Sequence, residues 1–379
     1  MKNILFTIET LNGGGAERVL INLLQKLDRN KFQLNLLLFS KEGVYLKQLP
    51  DDVKVFYLFR DPLTFKFSFF RFLYRAFRWF AVKFLVSCPS FLRFIVCIKG
   101  NYDVGISFCE GINLALLVYN RTHFKRLISW VHIDFSKHTA NISNSKIAIL
   151  LKSFDSIFFV SEDARLGFFK KFPKVASIAK TKVVYNPINI ASIKSMDNSE
   201  PFHKERITVL SVGRLSRQKR FDKLIRVQRM LIDQGVFCDM LIIGEGPEAP
   251  VLKALIHEFN LMDNVKLEGF KENSYEWIRH ADILAMTSDY EGLPLVICEG
   301  MVLAKPILAT NVTGPRELLE DGKFGLLVDN TDLAIYEGLK ELITNRASRN
   351  HYTKILEDNQ GNFIFTDSLS HIETLLNSD

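Results

Sequence analysis

The stretch SDYEGLPLVICEG places two carboxylates, Glu291 and Glu299, eight positions apart around an almost wholly apolar run. Pro294 fits the first position of a helix and Pro306 lies just beyond its end. The N-terminus of this helix is therefore predicted near residues 292–295, where amides and the helix dipole favour an anion. Glu291 would stand directly in front of that anion site.

Glu299 falls about five residues into the same helix, among neighbours that are apolar on every side. A buried carboxylate is costly unless something polar meets it. A pair of ligand hydroxyls would do so, and a structural partner such as a backbone amide or Arg316 is the alternative. The spacing leaves both interpretations open.

Two cations, Arg214 and Lys219, stand in the loop GRLSRQKRFDKL, which follows the strand-like run ITVLSVG. Strand-to-helix turns of a parallel sheet face the ligand crevice, and two cations there would suit a diphosphate. A solvated basic loop is the alternative.

In the first half of the chain, TLNGGGAERVLINLL puts three glycines, ending at Gly15, between a strand and a helix, where a ligand could lie against the backbone. His132 and Asp134 follow another strand and should point to the same edge, and His138 is a weaker candidate. A flexible turn and a structural histidine are the alternatives. No H-E-x-x-H motif or Cys and His cluster is present, so we expect neither a metal nor a cofactor.

The elements that must position these residues form a regular series of strands separated by helix-length segments. Such alternation predicts parallel sheets covered on both faces. The strand-like runs are KNILFTIE, FQLNLLLF, VKVFYLF, DVGISF, RLISWVH, SIFFVS, KVVYNP, ITVLSVG, DMLIIGEG, NVKLEGF, DILAMTS, PILATNV and GLLVD. A polar, proline-punctuated seam near residues 186–202 would separate two doubly wound α/β lobes.

The composition is that of a globular chain. With 379 residues, 47% hydrophobic and 24% charged, two domains are expected. The five cysteines are scattered and odd in number, which favours a reducing, cytoplasmic setting over a disulfide framework. We find no signal-peptide pattern at the N-terminus and no apolar run long enough to span a membrane.

The net charge of +7 is concentrated in one segment, residues 62–100, which holds seven basic residues and no acid. Arg71, Arg75 and Arg78 fall on one helical face of FKFSFFRFLYRAFRWF. This pattern resembles an interfacial helix, with cations toward anionic headgroups and aromatics in the acyl boundary. A basic solvated face that packs its aromatics on the core or on another subunit is the alternative. Because the excess charge is so localised, nucleic acid is not the expected partner.

Taken together, the motifs resemble the family 4 glycosyltransferases, retaining enzymes of the GT-B fold. The matching pieces, in order, are NGGGAERVLINLL, DSIFFVSE, VVYNPI, VGRLSRQKRFDKLI, LIIGEGPE, VKLEGF, SDYEGLPLVICEGMVLAKPILAT and GPRELLEDGKFGLLV. The resemblance implies an acceptor-side Rossmann-like lobe over 1–187, a nucleotide-sugar-binding lobe over 188–360, and a segment, 361–379, that returns to the first lobe. The two lobes of this fold face each other across a cleft.

By this resemblance, Arg214 and Lys219 hold the diphosphate of a nucleotide sugar, and Glu299 holds the ribose hydroxyls. The catalytic residues would be Glu291, at the donor sugar, and His132. The implied donor-binding set comprises Gly15, Arg214, Lys219, Gly292, Leu293, Pro294 and Glu299.

The implied reaction moves a hexose or N-acetylhexosamine from a UDP-linked sugar to a glycan or lipid-linked acceptor in surface polysaccharide assembly. It needs no metal, because cations and helix amides neutralise the leaving group. The protein would be cytoplasmic and peripheral at the inner face of the plasma membrane, in contact with it through residues 62–100.

Other functions compete with this interpretation. Gly244, Gly246 and Ala249 form a G-x-G-x-x-A pattern after a strand, with Glu268 about twenty residues later, as in an NAD-dependent oxidoreductase. Pro247 removes an amide where a pyrophosphate-binding turn needs one. A nucleotide-sugar epimerase and a non-catalytic sugar-nucleotide-binding protein share the proposed fold and remain alternatives.

Overall fold

A computed structural model describes residues 1–59, 98–135, 144–177, 179–195, 202–203 and 205–378, together with residues 69, 73–74, 76–77, 80–81 and 84. The chain divides into two compact units. The N-terminal unit comprises 1–187 and 367–379, and the C-terminal unit comprises 188–366. Of the helices in the described ranges, none is both long enough and apolar enough to cross a bilayer.

The N-terminal unit is built on a seven-stranded sheet of order β3-β2-β1-β4-β5-β6-β7, in which all neighbouring strands are parallel. Its strands are β1 (Lys2–Ile8), β2 (Phe32–Ser40), β3 (Lys54–Phe59), β4 (Tyr102–Ser107), β5 (Phe124–Val131), β6 (Ser156–Phe159) and β7 (Thr181–Val183). The described helices of this unit are α1 (Gly15–Lys26), α2 (Ile112–Tyr119), α3 (Asn144–Leu151), α4 (Glu162–Lys171) and α5 (Pro173–Ala176), with the last helix of the chain, Ser368–Asn377.

The C-terminal unit is built on a second parallel sheet of six strands, ordered β10-β9-β8-β11-β12-β13. Its strands are β8 (Thr208–Val212), β9 (Asp239–Ile243), β10 (Val265–Gly269), β11 (Ile283–Met286), β12 (Ile307–Thr310) and β13 (Leu326–Val328). Its helices are α6 (Ile190–Lys194), α7 (Phe221–Asp233), α8 (Ala249–Glu258), α9 (Ser274–His280), α10 (Leu295–Val302), α11 (Pro315–Leu318), α12 (Asp332–Thr344) and α13 (Arg346–Asp358), and the helix Ser368–Asn377 becomes α14.

Each sheet is the centre of its own apolar core. In the N-terminal unit, side chains of β4, β5 and β6 pack under α2, α3 and α4, and Phe135, Phe159 and Phe168 are fully buried there. In the C-terminal unit, α7 and α12 bury one face each against β8, β9 and β12. Because the sheets are covered on both faces, their strands are nearly continuous apolar runs, as in LFTI or ILAM.

Each sheet has one switch point, a pair of neighbouring strands from which the successive strands of the chain are added in opposite directions across the sheet. It lies between β1 and β4 in the N-terminal unit and between β8 and β11 in the C-terminal unit. Ligands of doubly wound sheets bind outside the carboxyl ends of the strands at such points. Each of the thirteen strand-like runs contains one strand, so the predicted α/β fold with two Rossmann-like sheets is confirmed.

Candidate functional site

The predicted donor-binding residues of the C-terminal unit lie in loops that leave the carboxyl edge of its sheet. Arg214 and Lys219 follow β8, Glu291 follows β11, and Glu299 is in α10. Since β8 and β11 flank the switch point, the first two loops are neighbours in space. This is the place where the topology alone expects a ligand.

Lys219 and Glu291 form a direct ion pair, with 2.6 Å between Lys219 Nζ and Glu291 Oε1. Both side chains are largely withdrawn from water, at 19% and 9% exposed. Removing one partner of such a pair leaves an uncompensated charge in a site that is largely withdrawn from water. An ammonium has three donors, so Lys219 can bind Glu291 and a phosphate oxygen together.

The two loops are also joined through their backbones. The amide of Asp289 donates to the carbonyl of Gln218 at 2.9 Å, and Gln218 Nε2 donates to the carbonyl of Tyr290 at 2.8 Å. The buried hydroxyl of Thr287 lies within hydrogen-bonding distance of the carbonyls of Lys219 and Arg220. The loops after β8 and β11 therefore form one cross-linked surface.

The glycines of the G-x-G-x-x-A pattern, Gly244 and Gly246, allow two loops of the protein to pack closely against each other. A Cβ on Gly244, whose φ is 142°, would lie 1.9 Å from the carbonyl oxygen of Gly213, and a Cβ on Gly246 would lie 2.3 Å from that of Leu215. The loop after β9 is thus pressed against the loop that carries Arg214, whose side chain is exposed. Close backbone approach within the protein accounts for both glycines without a pyrophosphate.

Helix α10 begins at Leu295, and Pro294 is its N-cap residue, so the helix starts one residue later than the sequence suggested. Glu291, Gly292, Leu293 and Pro294 are all buried. Gly314, at φ 86°, lies against this turn, since a Cβ there would be 2.5 Å from the carbonyl oxygen of Gly292. Glu299 is 4% exposed and so is a buried carboxylate, as predicted from its apolar neighbours.

In the N-terminal unit, His132 follows β5 and packs its ring against Phe108 and Trp130. Burial lowers the pKa of His132 to about 3, so the imidazole is neutral at physiological pH. Its Nε2 atom is shielded from water and has no hydrogen-bond partner among the described residues. Asp134, two positions on, is 2% exposed.

Glu110, which sequence reasoning missed, supports the loop of His132. One carboxylate oxygen of Glu110 accepts hydrogen bonds from the amides of His132, at 2.5 Å, and Ile133, at 3.2 Å. Burial raises the pKa of Glu110 to about 7, although both hydrogen bonds act to lower it. The one available signal was its position, three residues after the end of strand β4 and before a glycine.

The glycine loop of the N-terminal unit opens helix α1 at Gly15. The amide of Gly14 donates to Glu17 Oε2 at 2.6 Å, which caps the helix from within. A Cβ on Gly15 would meet nothing within 4 Å, so there is open space in front of that residue. Of the glycines in this loop, Gly15 best fits the expected approach of a ligand to the backbone.

Part of the predicted membrane segment lies outside the described residues, including Arg71, Arg75 and Arg78, and so does His138. The described positions between 69 and 84 are helical. Five large apolar side chains there are exposed, at spacings of four, four, three and four: Phe69, Leu73, Phe77, Phe80 and Phe84. Residues with these spacings share one face of a helix, and we call the five side chains the 69–84 face.

Part of the C-terminal unit is similar to a known family. Residues 192–357, within the C-terminal unit, match the model of the family "Glycosyl transferases group 1". The chain is 28% identical over 364 residues to an N-acetylgalactosamine-N,N'-diacetylbacillosaminyl-diphospho-undecaprenol 4-alpha-N-acetylgalactosaminyltransferase of Campylobacter jejuni, covering 93% of each chain. It is 25% identical to the amylovoran biosynthesis glycosyltransferase AmsD of Erwinia amylovora, covering 96% of each.

Among solved structures, the Anabaena protein HepE in complex with UDP and glucose superposes with a TM-score of 0.74, at 19% identity and over 100% of both chains. At that identity the likeness concerns the fold. Both compared relatives and HepE align along nearly the whole chain, so both units take part in the match.

Proposed function

We propose that this chain, a glycosyltransferase of the GT-B fold by its relatives and architecture, transfers a hexose or N-acetylhexosamine from a UDP sugar with retention of anomeric configuration. The acceptor is a glycan or a lipid-linked glycan in surface polysaccharide assembly. The observation that carries the proposal is the shielded Lys219–Glu291 pair at the switch point of the matched unit. The named activities of the Campylobacter and Erwinia relatives support the same class of acceptor.

The reaction breaks the bond between the anomeric carbon and a phosphate oxygen, which builds negative charge on UDP and positive charge on the sugar. We assign the diphosphate to Lys219, the exposed Arg214 and the amides that open α10. A preorganised cation in a site withdrawn from water stabilises a leaving group far more than it would in solution. These groups would act in place of a metal ion.

Glu291 is assigned to the sugar, where a carboxylate stabilises a cationic anomeric carbon. The acceptor oxygen then bonds to that carbon from the face the phosphate leaves, and its proton passes to the departing phosphate oxygen. Neutral His132 fits a hydrogen-bonding role toward the sugar. Buried Glu299 is assigned to the ribose hydroxyls.

We place the protein at a membrane surface because the 69–84 face is apolar and exposed, while the surrounding segment carries seven cations and no acid. A helix of that character lies in the interface of an anionic bilayer. Such an anchor brings the enzyme to an acceptor held in the membrane by its lipid.

The donor assignment is tested with Lys219→Met and Glu291→Gln in a transfer assay with a panel of UDP sugars. Each change should lower kcat about 100-fold, comparable with the loss of one preorganised transition-state donor. Lys323→Ala is the matched control, because Lys323 and Glu320 form an equally short pair at 2.6 Å but are exposed. The control should keep the activity of the parent.

Product analysis in the same assay separates the alternatives. Transfer with an unchanged anomeric configuration, in the presence of a chelator, is the expected result. A new sugar epimer without transfer would indicate an epimerase, and binding without turnover would indicate a non-catalytic protein. Full activity of Lys219→Met and Glu291→Gln would refute the site, and activity that needs a divalent ion would refute the metal-free leaving-group role.

A further inference from the structure

A second ion pair lies near the first and joins the same two loops, through Arg220 and Asp289. Arg220 follows Lys219, and its Nη1 is 3.3 Å and 3.1 Å from the two carboxylate oxygens of Asp289, two positions before Glu291. Asp289 also accepts from Asn330 Nδ2 at 3.0 Å and lies 3.7 Å from Lys223 Nζ. Asp289 is therefore a node that joins the loops after β8, β11 and β13.

The backbone of Arg220, next to this node, adopts a strained conformation. Arg220 has a φ of 51° and a ψ of 40°, the left-handed region that side chains other than glycine rarely adopt. Such a conformation is unfavourable and persists only where surrounding contacts hold it. Here the guanidinium grips Asp222 with two nitrogens, at 3.0 and 3.1 Å, in addition to Asp289.

Lys223, in helix α7, is a further basic residue at this node. Its side chain is 7% exposed, and its ammonium donates to the backbone carbonyl of Asn330 at 2.8 Å and to the side-chain oxygen of the same residue. Asn330 in turn donates to Asp289. A buried ammonium with these partners fixes the position of the Asp289 carboxylate relative to helix α7.

We propose that Asp289 is a positioning residue that, through Arg220, sets Lys219 and Glu291 for the diphosphate of the donor. The proposal rests on the donor site assigned above. Two adjacent cations, Lys219 and Arg220, face two acids on the opposite loop. Because Asp289 engages Arg220, Glu291 is left to pair with Lys219 alone.

Neutralising Asp289 removes the arrangement in which each carboxylate of this loop pairs with its own cation. Arg220 would then keep Asp222 only, and Glu291 would become the one remaining carboxylate on its loop for both cations. The ammonium of Lys219 would lose its fixed place, while Glu299, which we assign to the ribose, would be unaffected. The expected effect is therefore confined to ligands that carry phosphates.

The test compares the affinities of UDP and uridine for Asp289→Asn by calorimetry on the full chain. We expect UDP to bind about fivefold more weakly, because residues of one charge network are energetically coupled, and uridine affinity to change less than twofold. Arg220→Lys, which keeps the charge but loses the two-nitrogen grip, should shift UDP affinity in the same direction. It provides the answer if Asp289→Asn does not fold.

Asp233→Asn is the matched control, because Asp233 pairs with Arg229, 2.9 Å from its Nε, at the end of helix α7 away from the donor loops. It should leave the affinities for UDP and for uridine unchanged. Equal weakening of UDP and uridine by Asp289→Asn, or no weakening of UDP, would overturn the proposal. A parent protein that binds uridine but gains nothing from the diphosphate would overturn the donor site itself, and this inference with it.

Discussion

Two buried titratable residues of the N-terminal unit respond to burial in opposite ways. Burial raises the pKa of the Glu110 carboxyl to about 7 and lowers that of the His132 imidazole to about 3. In both cases the charged form is the one disfavoured, since few polar groups replace the lost water. The loop after β5 is consequently supported by a carboxyl that titrates close to neutral pH.

This arrangement predicts a pH dependence of stability that Glu110→Gln should remove. Because the folded pKa of Glu110 is above its ordinary value of 4.5, the folded state holds more protons, and stability falls as the pH rises from 4.5 to 7. A displacement of this size corresponds to about 3 kcal/mol. Chemical denaturation of parent and variant at several pH values gives the difference directly.

Replacing His132 by Asn should reveal a pH dependence of stability of the opposite sign. A lowered pKa makes the folded state hold fewer protons between about pH 3 and the ordinary value of 6.5, so the parent should gain stability with rising pH relative to this variant.

Parallel curves for the parent and Glu110→Gln between pH 4.5 and 7 would show that Glu110 is not buried as described.

The functional residues that can be predicted from the sequence are those whose residue type is unusual at their position in the fold. Glu291 and Lys219 were predicted because charged residues after buried strands of a parallel sheet need a reason, and the structure brings these two together. Glu110 was missed because its role depends on the adjacency of β4 and β5, which spacing does not encode. Gly244 was ambiguous, since close packing and ligand approach require the same residue.

At the scale of elements, the 69–84 face separates the two interpretations offered for the basic aromatic segment. A helix that packs its aromatics on the core would have them buried, whereas the five apolar side chains of this face are between 45% and 65% exposed. Clustered exposed apolar area of this kind marks an interaction surface. The exposure favours the membrane over the core as its partner.

We therefore expect Phe77→Ser with Phe80→Ser to weaken flotation of the protein with anionic vesicles, because apolar area no longer enters the acyl boundary. Binding of the parent should fall in raised salt and on neutral vesicles, since each cation near an anionic surface contributes about 1 kcal/mol that salt screens. UDP affinity should be unchanged in the double variant.

Phe237→Ser is the matched control, because Phe237 is 55% exposed in the C-terminal unit. It should float as the parent does. If the double variant floats equally well, or the parent does not float at all, the membrane assignment of this segment fails. Association of the parent with a second copy in solution would instead identify the face as a subunit interface.

At the scale of the whole molecule, the chain leaves the N-terminal unit and later returns to it. Helix α14 belongs to the N-terminal unit, where Glu373 binds the amide of Asp28 at 3.0 Å and the ammonium of Lys31 at 2.8 Å. Arg126 donates to the carbonyl of Leu375 at 3.1 Å. Ile372 and Leu376 are fully buried.

Removal of residues 368–379 should therefore destabilise the N-terminal unit selectively. Hydrogen exchange should accelerate at the amides of β1, β2 and β5, and those of β8 and β11 should keep their protection. Glu373→Gln, which leaves the apolar contacts in place, should have a much smaller effect. Equal loss of protection in both sheets would mean that α14 does not act within one unit.

The order in which the chain leaves the ribosome gives this return a further consequence. All residues of the C-terminal unit, 188–366, are synthesised before α14, whereas the first sheet must wait for its last helix. The C-terminal unit is therefore synthesised in full before the last helix of the N-terminal unit, so the unit that begins first is completed last. A chain that ends at residue 366 would thus contain every residue of the second sheet but lack a helix of the N-terminal unit, so we expect chaperones to bind the N-terminal unit of such a chain.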